Sequence, residues 1–287
     1  MMIFIAAFLV GAALSVVGAS FQSVLRNPLA EPYLMGTVGG GALFAASAVV
    51  FGWTAIGSWV MPTMSFLGST FALAVVCLVA FVTSKTRQTA SPLVRGNSSS
   101  FVLAGFVTGG FFGSLDMLVL SFATESDYAL VSKWLYGSLN AVTPTTLIIG
   151  AIVFVSVFAV QLSISKYLDV LELGRNEAEC LGVNARAILI FVFASSALMT
   201  AVSVALAGAV GFVGLVVPHI IRRLAGPRMR RVLIFSALFG GLYLVDAQIV
   251  VSCLSREIPV GVIAAIIGSP FLFAILLSPR NGEGWDV

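Results

Sequence analysis

Of the 287 residues, 59% are hydrophobic and 9% are charged, with a net charge of +3. Soluble domains carry about 25% charged residues, so a soluble fold is excluded. The few basic residues lie between apolar runs, where membrane topology accounts for them without nucleic acid. The runs are too long and too uncharged for an ordinary core, and they lack the dyad alternation of a transmembrane barrel. The predicted fold class is all-α: a polytopic helical membrane protein, with residues 1–287 forming one transmembrane domain.

The chain opens "MMIFIAAFLVGAALSVVGASFQSVL" with no basic n-region. It therefore reads as a retained first span, Ile3–Leu25, rather than a cleaved signal. Further candidate spans follow at Tyr33–Phe51, Pro62–Val82, Phe101–Phe122, Thr145–Ser165 and Ala187–Ala207. A shorter segment, Gly208–Ile221, precedes Val232–Leu254 and Pro259–Ser278. Cys77, Cys180 and Cys253 are far apart, with no metal-ligand spacing, and read as structural.

Two carboxylates fall within spans, Asp116 and Asp246. A mid-span aspartate costs ~2.5–3.5 kcal/mol on insertion scales. Each reads either as part of an ion relay or as a side chain turned into the bundle and hydrogen-bonded there. With no intramembrane Lys or Arg beside them, the second reading is preferred.

The short segment decides the topology. Thirty-five residues without a formal charge separate Arg186 from Arg222, whereas one helix needs ~20 to cross. Gly208, Gly211 and Gly214 offer a break, which is tolerated at membrane depth when protein covers it. If the segment crosses, thirteen of the fifteen basic residues share one side, and only Lys133 and Arg256 lie on the other. By the positive-inside rule that side is the cytoplasm. About nine crossings result, with the N-terminus out and the C-terminus in.

Residues 166–186, "KYLDVLELGRNEAECLGVNAR", form the most informative polar loop. Asn176 is placed to cap a short helix and Gly182 to stop it. That makes either a charge-laced docking surface on the cytoplasmic face or a solvated connector, between which charge alone does not choose. No GxxxxGK[ST] occurs, so the chain does not cradle nucleotide phosphates itself. The single histidine, His219, stands beside Pro218, and no hydrolase constellation is visible.

Four stretches carry a resemblance. "RNPLAEPYLMG" (26–36), "LELGRNEAECLGVN" (171–184), "GFVGLVVPHIIRRLAG" (211–226) and "EIPVGVIAAIIGSPFLFAILL" (257–277) resemble the membrane-spanning permease subunits of ABC importers for iron–siderophore complexes, haem and vitamin B12. The order matches along nearly the whole chain. The resemblance implies ten spans per subunit, of which the first is expected to be absent here together with an outer Arg-x-x-Arg pair. It implies a pairing with a second copy or a homologous permease, two cytoplasmic ATPase subunits that bind ATP and Mg, and an extracytoplasmic substrate-binding protein. No cofactor or metal is expected on this chain, which would be a transport subunit and not an enzyme, multi-pass in a bacterial inner membrane. Its cargo would be an iron chelate, haem or a cobalamin-like molecule.

By the same resemblance, Arg175, Glu177, Ala178, Leu181 and Gly182 would seat in the ATPase. Pro218 is expected to end or bend the short helix, His219 to bond exposed backbone, and Arg222 and Arg223 to anchor to headgroups. Arg256, Glu257 and Lys133 are the candidates for binding-protein docking. An ion-coupled secondary transporter using Asp116 and Asp246 is the alternative, and an assembly remnant without transport a further one.

Overall fold

A computed structural model describes residues 1–85, 98–254 and 258–277. It is all-helical among those residues. The helices are α1 (Met2–Leu25), α2 (Thr37–Val50), α3 (Val60–Lys85), α4 (Ser98–Leu120), α5 (Glu125–Leu135) and α6 (Pro144–Leu173). They continue with α7 (Arg175–Cys180), α8 (Ala185–Ala207), α9 (Val213–Ala225), α10 (Met229–Cys253) and α11 (Val260–Leu277). Six of them, α1, α3, α4, α6, α8 and α10, are long and apolar enough to cross a bilayer.

Helix α1 is the hub. It is buried without interruption from Val10 to Ser23 and packs on α6, α8, α9 and α10. A helix apolar on every face belongs inside a bundle, and small residues let its neighbours approach closely. Gly11 lies against the backbone of Gly240 in α10, and Gly18 against that of Gly214 in α9. With little hydrophobic drive between helices in lipid, hydrogen bonds help to hold the packing. Ser20 of α1 donates to Gln161 of α6 at 2.8 Å, and Gln161 Nε2 donates to Ser196 of α8 at 3.1 Å.

Two expected spans differ from full crossings. Tyr33–Phe51 yields only the 14-residue α2, about 21 Å of helix against a hydrocarbon core of ~30 Å. The start of α2 lies inside the bundle, because Gly36 packs against Gly105 and Gly109 in the middle of α4. Residues 26–36 therefore climb back into the bundle after α1 ends at Arg26, which takes a left-handed conformation (φ 49°). The other short segment starts its helix at Val213 rather than at Gly208 and runs past Ile221 to Ala225. Helix α6 extends two turns beyond the expected Ser165. Helix α5 was not anticipated; a capping box between Thr124 and Asp127 starts it.

The ends of three elements meet at one face of the bundle. The Ser138 N–H donates to the Ala207 carbonyl at 2.9 Å, and Gly261 lies on the carbonyls of Tyr136 and Ala209. These contacts gather the ends of α5 and α8 with the start of α11, at the face opposite the basic cluster.

Candidate functional site

The acidic loop and the arginine cluster meet at one end of the bundle. The two extra turns of α6 carry Asp169 and Glu172, three residues apart and so on one helical face. Arg222 Nη1, in the last turn of α9, donates to Glu172 Oε1 at 2.7 Å, with the two side chains 12% and 18% exposed. Arg222 Nη2 also donates to the Ala19 carbonyl of α1 at 3.2 Å. Asp169 Oδ1 accepts the N–H of Met229, the first residue of α10, at 2.6 Å. No side chain of its own caps α10, so a carboxylate from α6 takes the place of the usual local cap. One helix end thus clasps the exit of α9 and the entry of α10.

Helix α7 follows directly. Ala178 is fully buried and fixes the helix to the bundle, while Leu181 is 64% exposed. Glu177, Cys180 and Gly182 also face out. The C-terminus is closed as its sequence suggests: Gly182 has φ +79°, Val183 N–H donates to the Ala178 carbonyl at 2.9 Å, and Gly182 N–H to that of Glu179 at 3.0 Å. This is a Schellman closure, for which glycine suits the left-handed position. The start differs from expectation. Gly174 is the N-cap and Asn176 lies within the first turn; the side chains of Arg175 and Asn176 lie outside the described residues. Asn184 instead caps α8, accepting the Ala187 N–H at 3.0 Å.

Three expectations for the basic segment are corrected. Of the two roles expected of Pro218, ending or bending the helix, the first is excluded, because α9 continues seven residues beyond it. A mid-helix proline removes the donor to the carbonyl four residues back, here that of Gly214. Gln22 of α1 supplies the missing donor, with Nε2 at 3.2 Å from the Gly214 carbonyl and 3.3 Å from that of Leu215. His219 does not bond backbone through Nε2, which is buried without a partner. Arg222 is an internal clasp rather than a lipid anchor; Arg223 is exposed and open to headgroups.

The two aspartates part company. Asp116 is buried in α4, with Oδ1 unpartnered. Asp246 is exposed on α10, not turned inward as expected, and stands seven residues from the outer end of that helix at Cys253. Helix α4 packs on α2 and α3, whereas α10 packs on α1, α9 and α11, so the pair forms no shared relay. Lys133 is exposed on α5 at the outer end. Arg256 and Glu257 lie outside the described residues.

The model of the FecCD transport family matches residues 1–278. The chain belongs to the FecCD transport family. Among its relatives, the Fe(3+) dicitrate transport system permease protein FecD of Escherichia coli is 34% identical over 277 residues, covering 96% of this chain and 82% of that one. The cobalamin import system permease protein BtuC of Halobacterium salinarum is 33% identical, covering 95% of this chain and 70% of that one. A solved ABC transporter in an inward-facing conformation superposes with a TM-score of 0.83 at 29% identity, covering 97% of this chain and 86% of that one. As a FecCD member the chain is a multi-pass permease subunit of an ABC importer, a transport component and not an enzyme. Membership leaves the ion-coupled alternative without support.

Proposed function

We propose that this permease moves an iron chelate, haem or a cobalamin-like molecule across a bacterial inner membrane. Two copies, or this chain and a homologous permease, enclose the pathway. Two cytoplasmic ATPase subunits bind ATP and Mg, and an extracytoplasmic binding protein delivers the cargo at the outer face near Lys133, Arg256 and Glu257. The cargo classes come from the relatives, which serve iron citrate, haem and cobalamin.

One observation carries the mechanical part. The exposed α7 is held to the bundle by its own buried Ala178, and α6 just before it by the Glu172–Arg222 and Asp169–Met229 contacts. A capped helix pinned in this way moves as a unit with α9 and α10. Force applied by a partner at Glu177 and Leu181 therefore reaches the spans instead of being absorbed in a loose loop.

The test is reconstitution with the ATPase in proteoliposomes, reading vanadate-sensitive uptake of iron(III) citrate, an iron–siderophore, haem and cyanocobalamin. One of these probes is expected to accumulate only with ATP. Glu177→Arg is expected to cut uptake at least fivefold while leaving membrane insertion intact. Uptake that ignores ATP and collapses with the proton gradient would overturn the reading.

A further inference from the structure

The membrane end of α9 holds a second device. Its N-cap residue is Phe212, with φ +69° and ψ −29°, one of two non-glycine residues at positive φ among the described residues. Left-handed backbone costs an L-residue about 1–2 kcal/mol and persists where the surroundings hold it. Two contacts hold it here. Glu31, a buried side chain of the 26–36 stretch, accepts the Phe212 N–H at the start of the helix. On the other side, Phe212 Cβ and Cγ fill the space that a side chain at Gly268 of α11 would occupy. Tyr243 of α10 closes the corner, with Oη beside Gly268 and donating to the Ala264 carbonyl at 2.7 Å.

The 13-residue α9 thus runs from the cytoplasmic clasp at Arg222 to a seat on α11 at Phe212, and Gln22 braces it where Pro218 interrupts its hydrogen bonding. We propose that α9 is a strut that carries displacement of α7 to α11, and that Glu31 is the positioning residue that keeps Phe212 seated on Gly268. The proposal rests on the importer reading above. Shortness suits the role: a single stiff helix, gripped at both ends, transmits translation that a full-length span packed along its whole side would share among many neighbours.

The experiment uses the full permease with its ATPase in nanodiscs. Nitroxides on Cys253, at the outer end of α10, and on Phe273→Cys, an exposed position of α11, report α11 by pulsed electron–electron distance measurement. Cys77→Ala and Cys180→Ser remove the other thiols. Trapping with ATP and vanadate is expected to shift the distance in the parent complex and in Glu31→Gln, whose amide oxygen still accepts the Phe212 N–H. Glu31→Ala and Phe212→Gly are expected to lose the shift while ATP hydrolysis stays within twofold. Phe212→Gly keeps the left-handed turn without steric cost and deletes only the ring, which separates loss of the seat from misfolding. A full shift in Glu31→Ala, or its loss in Glu31→Gln, overturns the positioning role. A parent complex that hydrolyses ATP with α11 unmoved overturns the strut and leaves the importer reading standing. Failure to assemble with any ATPase removes the importer reading and the strut together.

Discussion

At the scale of single residues, the chain repeatedly uses one element to satisfy the backbone of another. Glu31 serves Phe212, Asp169 serves Met229, and Gln22 serves the carbonyl freed by Pro218. In the hydrocarbon core there is no water to do this work, so Glu31 and Gln22 above all have a partner-specific cost of removal. Gln22→Leu leaves the Gly214 carbonyl buried and unpaired, an expected loss of about 1–3 kcal/mol. Pro218→Ala returns a backbone N–H to that carbonyl. In the Pro218→Ala background the same Gln22→Leu change should therefore cost much less. Thermal unfolding of the four detergent-purified proteins measures the cycle, and equal losses in both backgrounds would show that Gln22 acts elsewhere.

At the scale of elements, close approach decides which helices can be neighbours. Helix α9 reaches α1 because two glycines meet: a Cβ on Gly18 would overlap the backbone of Gly214. Backbone cannot rotate away as a side chain can, and forced overpacking costs typically 1–3 kcal/mol or, at such contacts, more than about that. Gly18→Ala should lower the thermal midpoint and the folded yield more than Gly113→Ala, where a Cβ meets open space. Comparable midpoints for the two variants would contradict the packing. The boundaries of α2 and α9 belong to this scale as well. Both segments are apolar enough to suggest longer helices, but side-chain contacts hold the breaks: Thr37 donates to the Pro32 carbonyl, and buried Glu31 accepts the Phe212 N–H.

At the scale of the molecule, the native cysteines test the topology without engineering. Cys180 is exposed on α7 and Cys253 is exposed at the far end of α10. In intact cells or spheroplasts a membrane-impermeant maleimide should label Cys253 from outside and Cys180 only after permeabilisation. Labelling of both from the same face would invert or break the arrangement that joins the acidic loop to the arginine cluster.

Apolar run length was enough to establish the helical, membrane-spanning class, because bilayer thickness sets how long an apolar helix must be to cross. Gly182 as the stop of α7 was legible for a similar reason: the left-handed closure is a local preference of one residue. Only the tertiary structure decided that Arg222 turns inward to Glu172, that Asp246 faces out while Asp116 is buried, that Gln22 makes Pro218 tolerable, and that Phe212 sits on Gly268. Each of those pairs residues from distant parts of the chain. No pattern within either segment encodes the distance between them; it exists only once α1, α6, α9 and α11 are packed.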